Sequence, residues 1–311
     1  MSEVLLTAKN VWKSYKNIQA LQDFSITVQK GEIIGIVGPN GAGKTTLMEC
    51  FQGLNTFDLG FISLFGEDIR HGLSSEIRQK IGVAPQFFSL PPLLTVIEIL
   101  TLYGSLYVNS KQPDEVISLV GLEDEVNMRF SRLSGGQQRR LALAISLIGQ
   151  PELLFLDEPT GDIDPQNRRC IWDILLDKNL LGERSVIITT HQMDEVEALC
   201  SKVVILDKGC ILEQGTPQEL IARHCPEHFI RFEIDEFFFG EVKECLRNLD
   251  FESEILNQNI VQIKIRSLIV KDILKIVSQF ESKSIIVNNL QISKSSLEDV
   301  FIKLTGKVLR K

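Results

Sequence analysis

The sequence has little of what marks a secreted, membrane-spanning or nucleic-acid-binding chain. Its six cysteines (Cys50, Cys170, Cys200, Cys210, Cys225, Cys245) stand far apart, with no CxxC pair. A disulfide framework is excluded, and reduced thiols in a cytosolic protein are expected. His224, Cys225 and His228 are close neighbours, but a fourth ligand for a metal is missing there. Positive charge is not in excess: 33 Lys and Arg face 41 Asp and Glu, a net charge of -8. Generic nucleic-acid binding needs a basic face, and no basic run is present. Sustained heptads are absent too, which excludes a long coiled coil. The N-terminus "MSEVLLTAKNVWKSY" has no basic segment leading into an apolar core, so no signal peptide is read. An uninterrupted apolar span is also lacking. Residues 81–110 carry Glu98 as their only charge, yet Pro85, Pro91, Pro92, Gln86 and Asn109 break them up. That stretch reads as an apolar surface rather than a spanning helix.

What is present alternates strands with helices. Residues 4–9 and 24–28 alternate apolar and polar, as half-buried strands do. "EIIGIVG" (32–38), "ELLFLD" (152–157) and "SVIITTH" (185–191) are short apolar runs, the pattern of strands buried on both faces. A helix follows from Lys44, another is expected over Asn167–Leu180, and "KVVILDKGCILEQG" (202–215) reads as a hairpin turning near Lys208-Gly209. This order implies a mainly parallel sheet with helices on both sides. Residues 86–150 are helical in period and form an insertion. From residue 226 the pattern changes to β-α-β-β-α-β, with Asn257–Asn259 between the middle strands, as in a ferredoxin-like unit. It ends in a helix, "SLEDVFIKLTG", with Ser296 as N-cap and Gly306 as C-cap. The reading is therefore an α/β fold in two parts. Residues 1–222 form the first, with its helical part at about 86–150; residues 226–311 form a small α+β domain that is regulatory, a dimerisation element or a plain appendage.

Three motifs carry chemistry. "GPNGAGKTT" runs from Gly38 through Pro39, Asn40, Gly41, Ala42, Gly43, Lys44 and Thr45 to Thr46 and matches G-x-x-x-x-G-K-[ST]. Its glycines let the backbone curl so that N–H groups face phosphate oxygens, and the helix start adds its dipole. Lys44 would reach the β- and γ-phosphates, and the Thr45 hydroxyl would hold Mg²⁺. "LLFLDEP" (153–159) carries Asp157 to a strand tip, where a carboxylate can hold Mg²⁺, followed by Glu158, which can polarise a water as general base. In "LSGGQQRR" (133–140), Ser134, Gly135 and Gly136 open a second anion-binding helix start. One phosphate loop with two such helix starts suggests that the second serves the nucleotide of another copy.

Together these residues resemble the ATP-binding cassette ATPases over residues 4 to about 220. "GPNGAGKTT" is similar to their Walker A loop, "LLFLDEP" to their Walker B strand and "LSGGQ" to their signature. Gln86 in "GVAPQ" resembles the Q-loop glutamine, His191 in "ITTHQMDEVEALC" the switch histidine, and Tyr15 in "VWKSYKNIQAL" the aromatic residue that stacks on adenine. The C-terminal region resembles that of exporter ATPase subunits of the daunorubicin-resistance kind. The resemblance implies a P-loop NTPase core with an antiparallel β part and ATP with Mg²⁺ as ligands. It implies a head-to-tail dimer in which Ser134, Gly135, Gly136 and Gln137 face the partner's nucleotide. Gln86, Thr45 and Asp157 would attend the metal, and His191 would contact the γ-phosphate and orient Glu158. Asp164 keeps the D-loop aspartate position, but Asp162 stands where the family has glycine.

The purpose implied is transport by a separate membrane permease, with the chain on the inner face of the membrane and Gln86–Ser110 as docking surface. Phe87, Phe88, Leu90, Leu93 and Leu94 would supply its apolar face, unless they are internal core. Solute import, or a soluble cassette acting on nucleic acid or ribosomes, are the alternatives. The cargo is not written in this chain.

Overall fold

The computed structural model describes residues 3–161, 163–177, 182, 184–235, 238–248, 252–256, 260–265 and 270–306. The chain divides into two compact units, one reaching to Pro217 and the other covering Gln218–Gly306.

The first unit is built on two sheets. In one, β3 (Ile33–Val37), β6 (Ile81–Ala84), β7 (Leu153–Asp157), β8 (Ser185–Thr190) and β9 (Lys202–Asp207) run parallel, with β10 (Cys210–Gly215) antiparallel at the edge. The order is β10-β9-β3-β8-β7-β6. The runs read as doubly buried strands are so: every residue of β7 and β8 is buried. Parallel strands need helices on both faces, which is why their sequences lack polar alternation. The β9–β10 hairpin turns at Lys208-Gly209, both in the left-handed region.

The second sheet is antiparallel, in the order β2-β1-β4-β5, where β1 is Val4–Tyr15, β2 Ile18–Gln29, β4 Leu59–Leu64 and β5 Glu67–Asp68. β1 and β2 are longer than the alternation predicts. Register shifts interrupt their pairing after Ala8 and after Val11. Asn10 and Asp23 have φ of 47° and 52°, and their side chains are hydrogen-bonded at 2.7 Å. Such bulges shift the inward-facing parity and hide a long strand from a period-2 reading. β4, β5 and β6 escaped the sequence reading altogether. In particular, Ile81–Ala84 is a strand of the parallel sheet and not part of an apolar surface. The core joins both sheets to α1 (Lys44–Phe51), with Phe24 and Phe51 edge to face at 6.1 Å.

The insertion is helical as its period implies. It holds α3 (Val96–Gly104), α4 (Pro113–Leu119) and α5 (Gly135–Ile148), preceded in the chain by α2 (Ser75–Lys80). Thr95 with Glu98 and Ser134 with Gln137 close complete capping boxes on α3 and α5. The helix expected over Asn167–Leu180 is α6, Pro165–Leu176. It starts two residues early because Asp164 caps it and Pro165 has the preset φ of a first helical position. Residues 178–180 and Asp162 lie outside the described residues.

In the second unit β11 (His228–Ile234), β12 (Glu252–Leu256), β13 (Ile260–Ile265) and β14 (Val287–Lys294) pair antiparallel in the order β12-β13-β11-β14. This is the split βαβ order the sequence predicts. Helices Phe239–Asn248 and Val270–Ser282 contribute Val242, Cys245, Leu246, Ile276 and Phe280 to its core, over Ile230, Phe232 and Ile263. The helix Leu297–Thr305 has Ser296 as cap and ends at Gly306, φ 65°. Asn257–Asn259 lie outside the described residues.

Candidate active site

β3 ends at Val37 and α1 begins at Lys44, so the phosphate loop is the whole connection. Two of its glycines are fixed by space. A Cβ on Gly43, where φ is 107°, would stand 2.3 Å from the Ala20 carbonyl oxygen. A Cβ on Gly38 would stand 2.3 Å from the Leu206 oxygen. The strand-to-helix turn therefore closes only without side chains, and it leaves the first N–H groups of α1 facing outward. Lys44 is 7% exposed. Its ammonium donates to Gly38 O at 2.8 Å and Pro39 O at 3.3 Å. Burial lowers its pKa, against the raising effect of Glu158 and Asp157.

The loop is the floor of a cleft of about 910 Å³. Pro39–Thr46 line it together with Tyr15, Ile18, Ala20, Gln86, Glu158 and His191. Tyr15 ends β1 with its ring half exposed, and its hydroxyl accepts from Asn55 Nδ2. Lys13 Nζ lies 5.2 Å from the ring centroid.

The acids stand where β7 ends. Asp157 is buried and accepts from the Thr189 hydroxyl, directly opposite it on β8. Burial pushes its carboxyl pKa up, and the Glu158 charge adds to this. Glu158 sits in the left-handed region, φ 48°, with its N–H donating to Thr189 O at 2.9 Å. That conformation is rare for a residue with a side chain, and it turns the carboxylate out of the strand. Oε2 accepts from Gln86 Nε2 at 2.9 Å, and Oε1 lies 3.2 Å from His191 Nδ1. Three predicted residues from three distant segments thus converge on one carboxylate, oriented from both sides beside the phosphate loop. A carboxylate so held can take a proton from a water in the cleft.

Ser134, Gly135, Gly136, Gln137 and Asp164 do not line this cleft. Ser134 caps α5, and Gln137 returns the bond at 2.8 Å while donating to Glu125 at 2.7 Å. Among the described residues, nothing outside its own helix turn lies within 4 Å of a Cβ on Gly135, so that backbone is open. A Cβ on Gly136 would meet Asn167 at 2.6 Å. Asp164 holds Asn167 there, accepting from its N–H at 3.0 Å and its side chain at 2.6 Å. These bonds hold the Asp164 carboxyl below its ordinary pKa.

Sequence reasoning missed Thr189, Ile18 and Ala20, and also Arg139, which bonds to the Gln86 backbone. Only Thr189 left a signal, as a polar residue at the tip of an apolar strand.

Comparison with known proteins decides the family. A family model described as ABC transporter matches residues 21–161. The linearmycin resistance ATP-binding protein LnrL of Bacillus subtilis (strain 168) is 33% identical, over 98% of this chain and 100% of that protein. The chain belongs to the ABC transporter ATP-binding proteins. The Nod factor export ATP-binding protein I of Rhizobium sp. (strain N33) is 34% identical, over 100% of both chains. Among solved structures, the dimeric bacterial ABC transporter cassette MJ0796 is 27% identical with a TM-score of 0.62, covering 68% of this chain and 98% of that one. The same cassette bound to ADP and Pi superposes equally well, at a TM-score of 0.62. As an ABC ATPase, the chain binds and hydrolyses ATP. Among the described residues no helix is long and apolar enough to cross a membrane.

Proposed function

We propose that this ABC ATPase powers export by a separate membrane permease, through ATP-driven closure of a head-to-tail pair of cassettes. The observation that carries this reading is the division of the phosphate-binding elements. The loop, Gln86, Glu158 and His191 share one cleft, while the open helix start at Ser134 and Gly135 lies away from it. A second chain would supply its Ser134 turn to complete each nucleotide. The dimeric MJ0796 cassette shows that a close structural relative pairs. Export rather than import is supported by full-length similarity to the Nod factor export protein.

In this reading Tyr15 stacks on the base, and Lys44 with the loop N–H groups holds the β- and γ-phosphates. The donor set fits Mg²⁺: hydroxyl, carboxylate and amide oxygens of Thr45, Asp157 and Gln86, beside a second carboxylate whose repulsion with Asp157 a cation would relieve. The ion, when bound, neutralises phosphate charge. Glu158 takes the proton of the attacking water, and Gln86 and His191 keep its carboxylate oriented. We read residues 1–222 as the nucleotide-binding domain and 226–311 as an accessory domain.

The permease would dock on the insertion. Phe87 and Leu93 are 83% and 69% exposed, with Leu102, Leu106 and Val108 also exposed nearby in sequence. Leu90 is buried, so the surface is narrower than its composition implies.

Sedimentation of Glu158→Gln with and without ATP tests the closure. Blocking the base should trap a dimer with ATP. A monomer at saturating ATP overturns the reading.

A further inference from the structure

The geometry points to Arg139 as a positioning residue that ties the signature helix to this chain's own Glu158, so that each site senses whether the other is filled. The inference rests on the shared-site reading above and adds the part that would carry the signal.

Arg139 lies on α5, little more than one turn beyond the Ser134 cap. Its guanidinium donates to Gln86 O at 2.5 Å and reaches Pro85 O at 3.4 Å. Residues 85–90 belong to no helix or strand, so their placement depends on the groups they bond. The two successive carbonyls share one donor nitrogen, Nη1, and the charge on the guanidinium strengthens the bonds. The same side chain lines a small gap with Pro85, Leu156 and Pro159, which wedges it between the Gln86 segment and the end of β7.

From Gln86 the path continues without a break. Its side chain donates to Glu158 Oε2 at 2.9 Å, and Glu158 Oε1 meets His191 at 3.2 Å. One end of α5 therefore presents the half-site offered to the partner's nucleotide, while its flank grips the backbone of the residue that orients the base. A phosphate bound at Ser134 and Gly135 biases the position of α5. Arg139 transmits that bias to Gln86, and the amide of Gln86 resets Glu158. A continuous hydrogen-bonded path between two sites is a physical route by which such coupling can travel.

The test uses the full chain with Arg139→Ala, Arg139→Lys and Glu158→Gln. For Arg139→Ala, kcat for ATP should fall about tenfold while KM changes by less than about twofold, within the range of coupling residues that touch no ligand. The Hill coefficient should fall toward one. Arg139→Lys should recover part of both, since an ammonium can still donate to Gln86 O. Glu158→Gln combined with Arg139→Ala should still dimerise with ATP, because the Ser134 turn is intact. An unchanged kcat and Hill coefficient in Arg139→Ala overturns the inference. So does loss of ATP-induced dimerisation without rescue by lysine, which would make Arg139 a packing residue. If Glu158→Gln alone fails to dimerise, the shared-site reading falls first and takes the coupling with it.

Discussion

The side-chain amide of Gln86 and the carboxylate of Glu158 are 72 residues apart in sequence and 2.9 Å apart in space. With His191 Nδ1 at 3.2 Å on the other oxygen, Glu158 is held from both sides and cannot rotate freely. A general base gains from such restraint, because its lone pair then waits where the water must be.

Glu158→Gln keeps the shape of this cluster and removes the proposed base. Phosphate release should fall by about 10²- to 10⁴-fold, the usual worth of a general base. ATP affinity, read with a fluorescent analogue, should be preserved. Near-wild-type turnover removes Glu158 from that role.

Lys44→Ala acts on binding instead. The lysine is buried, and its ammonium donates to two loop carbonyls, Gly38 O and Pro39 O. A charged hydrogen bond is worth about 1.5–3 kcal/mol, so the Kd for ATP should rise about tenfold or more. Equilibrium titration reads this directly, and unaltered affinity would contradict the proposed phosphate contact.

Gly43→Ala should damage the loop itself. The new Cβ would lie 2.3 Å from Ala20 O at a φ of 107°, so β2 or the loop must move. Strain of this type costs about 1–3 kcal/mol. Thermal unfolding should show the loss without nucleotide, and ATP binding should weaken with it. A wild-type melt would mean that the loop has another conformation available.

Glu195 gives a pH signature. It is fully buried and accepts from Thr160 Oγ1 at 2.7 Å and Trp172 Nε1 at 3.3 Å. Burial raises its pKa above the ordinary 4.5, and bonds from Thr190, Thr160 and Trp172 offset only part of that. A carboxyl whose folded pKa is raised favours the fold when protonated. Its contribution is complete below 4.5 and declines as pH rises through the raised folded value. Glu195→Gln keeps an acceptor and cannot ionise, so Tm should lose that part of its decline as pH rises above 4.5. An identical Tm–pH curve in the variant would show that Glu195 does not titrate there.

In the proposed docking, the exposed apolar residues Phe87 and Leu93 serve transport and not hydrolysis. Phe87→Asp with Leu93→Asp changes two exposed side chains, so stability and soluble ATPase activity should stay near wild type. Co-purification with the permease and transport should be lost. A complex that survives intact places the docking surface elsewhere.

The parts legible in the sequence were those whose cause is local. The phosphate loop announces itself because glycine, lysine and threonine must follow a strand at fixed offsets. β7 and β8 are apolar throughout because parallel strands are covered on both faces. The caps at Ser134 and Ser296 are likewise read from a few neighbours. What stayed hidden depends on pairs distant in sequence. The register of β7 with β8 sets Thr189 against Asp157, and nothing near either residue says so. β6 was lost within a longer apolar stretch whose first four residues pair with β7. The bulges at Asn10 and Asp23 broke the alternation that would have given β1 and β2 their length.

Gly136 shows how misleading an altered phenotype can be. Any side chain there strikes the side chain of Asn167, which swings aside only by giving up its bond to the Asp164 carboxylate at the start of α6. A substituted subunit would look like one that has lost its neighbour's nucleotide. The injury would nevertheless be a collision inside a single molecule, present before any second subunit arrived.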